Sequence, residues 1–219
     1  YALSMARIIV FPKAPHAGEV KTRLCPPLRP QGAALLHARM VRRTLATACA
    51  AAPGQVELHC SPATDEPFFV ECARDHGIAL YAQAGGDIGQ RMSYAMRVAS
   101  QTRPLLLIGT DCPARSTDDL RIALQALEAG NDAVLGPVED GGYSLIGLSR
   151  FEPAVFEGIE WSTAQVYSQT RAQFIRLGLR WHALPVSWDV DLPADLHRLR
   201  ADCPELLDGI AHADETSSR

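Results

Sequence analysis

The sequence lacks the motifs that mark several common functional classes. Its six cysteines form no CxxC pair, which argues against a zinc ribbon or a thioredoxin-like redox site. No HExxH, GxSxG, GxGxxG or GxxxxGK[ST] pattern occurs, so zinc proteases, hydrolases with a nucleophile elbow and Walker-type nucleotide sites are disfavoured. Positive charge is not in excess either, because 21 lysines and arginines stand against 25 aspartates and glutamates. We therefore expect no nucleic-acid partner.

Long apolar runs are also missing. No stretch approaches the roughly 18 apolar residues of a membrane helix, and no signal-like N-terminus is recognisable. We expect a cytoplasmic protein with reduced thiols and no membrane partner. The expected organisation is one domain over residues 5–213, with residues 1–4 as a remnant before Met5 and residues 214–219 as a flexible tail. A homodimer stays open.

Short apolar runs alternate with amphipathic stretches along the chain. Strands are predicted near residues 7–11, 56–61, 78–83, 105–109, 132–138, 143–148 and 179–184. Helices are predicted near 32–52, 66–75, 88–100, after Ser116 or Thr117, near 163–177, and as a short pair after Pro193. This alternation indicates an α/β fold with a mainly parallel sheet. In such sheets ligands bind beyond the carboxyl ends of the strands, so polar residues that follow strands are the candidates.

The segment FPKAPHAGEVKTRL follows the first predicted strand and is rich in proline and basic residues. Lys21 and Arg23 lie two positions apart, as two donors that contact one polyanion would. Gly18 would allow a close approach of the backbone to a ligand, and the prolines would restrict the loop. A solvated basic turn is the alternative. The candidate phosphate-binding residues of this loop are Pro12, Lys13, Gly18, Lys21 and Arg23.

Aspartates follow other predicted strands. Asp111 comes directly after the buried strand near 105–109, where a carboxylate would suit a divalent cation. A simple turn aspartate before Pro113 is the alternative. Asp189 and Asp191 would share one face if extended, and either could join Asp111 at a metal, although Asp191 could instead cap the following helix.

An acidic, glycine-rich segment separates the strands near 132–138 and 143–148. Gly141 and Gly142 could make a tight hairpin, whereas Asp140 and Tyr143 could hold substrate hydroxyls. Both interpretations stay open. Together with the basic loop and the aspartates, the pattern predicts that a nucleotide di- or triphosphate is bound through a divalent metal.

Six segments of the chain resemble a known family in their order. They are FPKAPHAGEVKTRL, QAGGDIGQRM, LIGTDCP, GPVEDGGYSLIGL, WST and WDVDLPADL. The pattern resembles the bacterial transferase 1 family associated with radical-SAM and selenodomain proteins, whose members are described as GT-A-type glycosyltransferases. The resemblance implies a three-layer α/β/α GT-A fold, the nucleotide-diphospho-sugar transferase fold, with a mostly parallel mixed sheet.

The resemblance also implies roles for individual residues. Lys21 and Arg23 would grip the donor phosphates, and Arg91 would line the nucleotide. Asp111 and Asp191, with Asp189 beside them, would hold Mg²⁺ or Mn²⁺. Residues at the acceptor would be Asp140, Gly141, Gly142 and Tyr143, and the catalytic group would be Lys21, Asp111 and Asp191.

The resemblance favours transfer of a sugar from a nucleotide-sugar donor to a small-molecule acceptor. The short motif Asp111-Cys112-Pro113 is closer to nucleotidylyltransferases, which move a nucleoside monophosphate from a nucleoside triphosphate to a small phosphorylated acceptor. A non-catalytic nucleotide-binding protein is a third interpretation. A haloacid-dehalogenase-like phosphatase would need DxD after the first strand, where Lys13 stands instead.

Overall fold

The fold is built on one seven-stranded sheet, seen in a computed structural model that describes residues 6–101 and 104–210. The expectations for residues 1–4 and 214–219 lie outside the described residues. The strands are β1 (Arg7–Val10), β2 (Val56–Cys60), β3 (Ala79–Ala82), β4 (Leu105–Ile108), β5 (Ala133–Pro137), β6 (Tyr143–Leu148) and β7 (Trp181–Ala183). The helices are α1 (Pro30–Ala51), α2 (Pro67–His76), α3 (Ile88–Val98), α4 (Thr117–Glu128), α5 (Val166–Arg176) and α6 (Asp195–Asp202).

The strand order is β3-β2-β1-β4-β6-β5-β7, and β6 runs antiparallel to both of its neighbours. The other pairs are parallel, so the predicted mostly parallel mixed sheet is confirmed. Because β6 is reversed, its first residue, Tyr143, pairs with the last residue of β5, Pro137. The acidic segment before β6 therefore lies at the same sheet edge as the carboxyl ends of β1 and β4.

Local sequence signals explain most of the helix ends. Ser116 caps α4 through a reciprocal capping box with Asp119, as the sequence indicates. The helix predicted from residue 163 begins later, at Val166. Thr163 is held in a turn instead, because its hydroxyl donates to the carbonyl of Glu160 and accepts from the amide of Gln165.

The alternation of side chains along β1 divides the core between the two faces of the sheet. Ile8 and Val10 pack with apolar residues of α1, α2 and α4, whereas Ile9 packs with those of α3 and α5. A third apolar cluster joins Leu24 and Leu28 to Trp188 and Val190. This third cluster holds the basic loop against the late aspartate-rich segment, and so it positions the candidate site. Among the described helices, none combines the length and the apolar character needed to cross a bilayer.

Candidate active site

Lys21 is where three predicted segments meet. Its Nζ atom lies 2.7 Å from Asp111 Oδ1, and it donates a 2.7 Å hydrogen bond to the carbonyl of Val190. The Lys21 backbone is left-handed, with φ of 49°, which is uncommon for a residue other than glycine. Its side chain is only 5% exposed. The structure thus brings together the basic loop, the end of β4 and the WDVDLP segment.

The Asp111 carboxylate is partly exposed to solvent, and the buried Lys21 ammonium balances its negative charge. Desolvation alone would raise the pKa of Asp111, but the charge of Lys21 and the hydrogen bond that it donates outweigh it and hold the pKa below its usual value. The side chain remains 53% exposed. Asp111 is therefore ionised at neutral pH and faces the cleft.

His37, on the buried face of α1, belongs to the site, although the sequence marks it only as a lone histidine. Its Nε2 donates to the carbonyl of Lys13 at 2.9 Å, and its Nδ1 lies 3.8 Å from Asp111 Oδ1. Burial, which outweighs the attraction of Asp111, lowers the pKa of His37. The ring is neutral at neutral pH, and Nδ1 has no hydrogen-bond partner among the described residues. The only sequence signal that points to His37 is its position two turns into α1, the helix that follows the basic loop.

Arg23 forms an ion pair with Asp191 across the mouth of the cleft. Asp191 does not cap α6, whose N-cap is Ala194 with no side-chain cap bond. The Asp195 carboxylate instead holds the turn before the helix, since it accepts from the amides of Asp191 and Leu192 at 2.9 and 2.6 Å. The Asp191 side chain is consequently free to face Arg23. The basic loop thus contacts the late segment twice, through Lys21 and through Arg23.

Asp189 forms no ion pair with any described residue, unlike Asp111 and Asp191. Burial raises its pKa to about 6, and the like charges of Asp140 and Asp111 add to the shift. Three carboxylates therefore repel one another at this edge of the sheet. A cation bound among them would relieve that repulsion.

Two adjoining cavities open on either side of Asp111. The first has a volume of about 420 Å³ and the second about 600 Å³, and both are lined by Ile88, Met92, Asp111 and Tyr143. Among the predicted residues, Pro12, Lys13 and Arg91 line the first, whereas Arg23, Asp140, Gly142 and Asp191 line the second. Asp111 thus stands at the junction of two ligand-sized spaces.

The wall of the first cavity is held by Gln83, which the sequence reasoning missed. Its side-chain amide donates to the carbonyls of Pro12 and His59 at 2.9 and 2.8 Å. Arg91 approaches the oxygen of the same amide at 3.4 Å. This amide ties the carboxyl ends of β1 and β2 to β3 beneath the cavity. Gly18, by contrast, borders neither cavity; its φ of 84° serves the turn, and nothing packs within 4 Å of where a Cβ would be.

The second cavity is bounded by the acidic hairpin and the Trp161–Ala164 loop. Gly141 has φ of 88°, and a Cβ there would lie 2.2 Å from the carbonyl oxygen of Ala164. The amide of Gly142 donates to Asp140 Oδ1 at 2.7 Å. The segment is therefore a tight turn and a cavity wall at once, so the two interpretations of its glycines are compatible. Trp161 and Ser162 line the cavity too, although no role was predicted for either residue.

The architecture and the sheet-edge cleft define the class: the fold is that of the nucleotide-diphospho-sugar transferases. Over residues 44–163, more than half of its length, the chain matches the family described as "Uncharacterized protein conserved in bacteria (DUF2064)", and it belongs to that family. No curated protein matches it. These findings support the superfamily expected from the sequence, while the narrower transferase 1 name remains a prediction.

Solved structures agree with this class. A candidate nucleotide-diphospho-sugar transferase from Desulfovibrio desulfuricans G20 is 32% identical, with a TM-score of 0.78 over 91% of this chain and 89% of that one. Glucosyl-3-phosphoglycerate synthase from Mycobacterium tuberculosis, in complex with Mn²⁺, UDP and glucosyl-3-phosphoglycerate, is 11% identical, with a TM-score of 0.53 over 90% and 75%. CMP:2-keto-3-deoxy-manno-octonic acid synthetase with CTP is 13% identical, with a TM-score of 0.55 over 90% and 97%. The last two show likeness of fold alone.

Proposed function

We propose that the protein is a metal-dependent GT-A-fold glycosyltransferase that moves a sugar from a nucleotide-sugar donor to a small-molecule acceptor. The observation that carries the proposal is the Lys21–Asp111 pair at 2.7 Å, at the junction of two cavities. A transferase needs one space for each substrate and a charged group where they meet. The cleft has this form.

A divalent metal fits the carboxylates near Asp111. The described residues hold no group of three or more histidine, cysteine, aspartate or glutamate side chains arranged for a metal. Mg²⁺ and Mn²⁺ with nucleotides commonly use only one or two carboxylates, with phosphate and water oxygens completing the shell. Asp111 faces the cleft, and Asp189 has no ion-pair partner among the described residues, so these two carboxylates would hold the metal. Asp191, engaged by Arg23, would be released only by a rearrangement of that pair.

The first cavity is the proposed donor site. It is lined by polar groups held in place by Gln83, and its inner end reaches Asp111. Lys21 would contact the donor phosphates from beneath, since its ammonium is fixed by Asp111 and Val190. The mycobacterial synthase and the synthetase, which share the fold, are seen with UDP and CTP respectively. The nucleotides bound by these two proteins of the same fold support a nucleotide in the first cavity.

The chemistry follows from that arrangement. A hydroxyl oxygen of the acceptor forms a bond to the anomeric carbon of the donor, the bond from that carbon to the phosphate oxygen breaks, and a nucleoside diphosphate leaves. Negative charge grows on the leaving phosphate, where the pre-oriented Lys21 ammonium lowers the energy of the transition state. A bound metal would neutralise the same diphosphate. The acceptor proton passes to a carboxylate of the second cavity, for which Asp140 is the best placed.

Nucleotidylyl transfer is the alternative, favoured by the Asp111-Cys112-Pro113 motif and by the fold shared with the CTP-bound synthetase. In that reaction an oxygen of the acceptor attacks the α-phosphorus of a nucleoside triphosphate, and pyrophosphate leaves. Lys21 and Asp111 would serve both reactions, so these residues do not distinguish the two reactions. The products distinguish them, because glycosyl transfer releases a nucleoside diphosphate and nucleotidylyl transfer releases pyrophosphate.

A panel of nucleoside triphosphates and nucleotide sugars, each with Mg²⁺ or Mn²⁺, tests the proposal by thermal shift and product analysis. A ligand at 100 times its dissociation constant adds about 2.7 kcal/mol to the free energy of unfolding, which raises the melting temperature measurably. We expect a nucleotide sugar to give the largest shift and to yield a free nucleoside diphosphate with an acceptor. A triphosphate that instead yields pyrophosphate would establish the alternative. No metal-dependent shift from any nucleotide would contradict both.

A further inference from the structure

We infer that the second cavity takes an uncharged polyhydroxylated acceptor and discriminates against a phosphorylated one. The inference rests on the proposed function, since it names the acceptor class of the same site. It is argued from the charges, the walls and the shape of the second cavity and of the smaller space beside it.

The ionised groups of the second cavity are mostly carboxylates. Asp111, Asp140 and Asp191 line it, and Arg23 is the only lysine or arginine among its described lining residues. Arg23 is already paired with Asp191, and Lys21, behind the wall, is paired with Asp111. Arg23 is thus held by Asp191, Lys21 lines neither the first nor the second cavity, and Asp140 has no ion pair with a described residue. A phosphate placed here would meet an uncompensated carboxylate.

A third cavity of about 280 Å³ adjoins the second and is still more acidic. Arg23, Asp140 and Asp191 line both, and the third adds carboxylates from Glu139, Asp189 and Asp195. Without a bound metal, a negatively charged substituent of the acceptor finds no relief by turning toward this space.

Trp161 adds an aromatic surface to the lining of the second cavity. Trp161 packs so closely on the first turn of α3 that a Cβ on Gly89 would lie 2.2 Å from its ring atoms. The loop after Trp161 is equally constrained: Ser162 has φ of 64°, a left-handed conformation for a residue other than glycine. An aromatic ring with a polar edge is suited to an amphipathic ligand such as a carbohydrate.

Asp140 is held ready to accept hydrogen bonds from hydroxyl groups. The Gly142 amide fixes its Oδ1 at 2.7 Å, and the neighbouring Glu139 is engaged by Arg198 at 2.8 Å. A fixed, unpaired carboxylate and an indole ring in the walls of one cavity provide an acceptor of hydrogen bonds and an apolar surface for the same ligand. Hydroxyl groups satisfy a carboxylate, whereas phosphate oxygens repel it.

The test compares acceptors that differ by one phosphate group. Glucose with glucose 6-phosphate, and glycerol with glycerol 3-phosphate, are offered with the donor found by the thermal-shift panel, and kcat/KM for transfer is measured. We expect the uncharged member of a pair to be preferred by at least roughly tenfold, as like-charge repulsion implies. Asp140→Lys should reduce or reverse the preference, and Asp140→Asn should narrow it. Asp118→Asn, at an 81% exposed side chain on α4, is the matched control and should leave it unchanged.

A second measurement gives an answer whether or not these acceptors are used. Iodide and caesium ions quench tryptophan fluorescence, and the Trp161 signal is the difference between the wild type and Trp161→Phe. Each quenching constant is divided by that of the same ion with free N-acetyltryptophanamide, because iodide is intrinsically the stronger quencher. On this normalised scale caesium should quench Trp161 at least roughly twofold more than iodide, and Asp140→Lys should reverse that order, because the charge of the cavity selects the ion. Normalised iodide quenching equal to or stronger than that of caesium, or a preference for the phosphorylated acceptor, would overturn the inference. Failure of the proposed function is distinct, since it would appear as the absence of metal-dependent nucleotide binding.

Discussion

Lys21 Nζ lies 2.7 Å from Asp111 Oδ1, although the two residues belong to distant parts of the chain. The parallel pairing of β1 with β4 makes this contact possible, since Val10 pairs with Ile108 and both strands end at the same edge. The loops that follow them must then meet. The contact fixes a cation and an anion side by side at the point where donor and acceptor would react.

Replacement of Lys21 by Met should weaken the binding of a nucleoside diphosphate far more than the binding of the nucleoside. A charged hydrogen bond contributes about 1.5–3 kcal/mol, so we expect at least roughly a tenfold loss for the diphosphate. Isothermal titration measures both ligands. Arg74→Met is the control: its side chain on α2 is 74% exposed and pairs with Asp75, so its effect on both ligands should be small. Equal losses for nucleoside and diphosphate would remove the phosphate role of Lys21.

The raised pKa of Asp189 predicts a pH dependence of stability. Its pKa of about 6 in the folded state exceeds the ordinary 3.8, so the folded protein binds more protons than the unfolded chain between these values. The contribution of Asp189 is therefore fully present below pH 4 and is lost as the pH rises through 6. In metal-free buffer, Asp189→Asn should stabilise the protein more at pH 7.5 than at pH 4.5, as thermal melts would show. A mutant-minus-wild-type difference that does not change with pH would contradict the assignment.

Gly89→Ala should disturb the second cavity without weakening the helix that carries it. Alanine favours a helix over glycine by about 1 kcal/mol, yet its Cβ would lie 2.2 Å from the Trp161 ring, which must move. We expect an altered Trp161 fluorescence and a raised KM for the acceptor, with nucleotide affinity retained. In the Trp161→Phe background, which also lacks the indole, Gly89→Ala should cause a smaller further change in acceptor KM. Loss of nucleotide affinity alone would argue that Trp161 serves the donor.

Arg115 is a buried guanidinium that the sequence gives no reason to single out. It donates to the carbonyls of Pro137 and Pro185 and to the Ser144 hydroxyl, at 2.9, 3.1 and 3.2 Å. These contacts tie the ends of β5 and β6 to the segment after β7. Arg115→Met should cost about 2–4 kcal/mol, or a fall in melting temperature of roughly 5–15 °C for a chain of this size. The melting temperature of Arg115→Lys should lie between those of Arg115→Met and the wild type. A melting temperature of Arg115→Met within about 2 °C of the wild type would contradict the structural role of Arg115.

Much of the fold follows from local signals in the sequence. The apolar runs predicted all seven strands, and the choice between Ser116 and Thr117 for the start of α4 is decided in the structure by the capping box at Ser116. The candidate positions of Lys21 and Asp111 followed from one rule, that ligands gather at the carboxyl ends of parallel strands.

Contacts between distant segments were harder to foresee. His37 and Gln83 look unremarkable in the chain, and only the packing of α1 and β3 against the first loop brings them to the cleft. The position of the Trp161 ring depends on the absence of a side chain at Gly89. Neither segment alone reveals this contact. Gly18 is the converse case: the sequence cannot distinguish a positive φ that serves a turn from one that serves a ligand, and Gly18 lines neither the first nor the second cavity.

The central claim is that Asp111 binds a nucleoside diphosphate through a divalent metal. Isothermal titration of the best nucleoside diphosphate from the thermal-shift panel, with and without Mn²⁺, tests it in the wild type and in Asp111→Asn. The account predicts that Mn²⁺ strengthens binding at least roughly tenfold in the wild type, about 1.4 kcal/mol, and has little effect in the variant. An equal response to Mn²⁺ in both proteins, or none in the wild type, would contradict it.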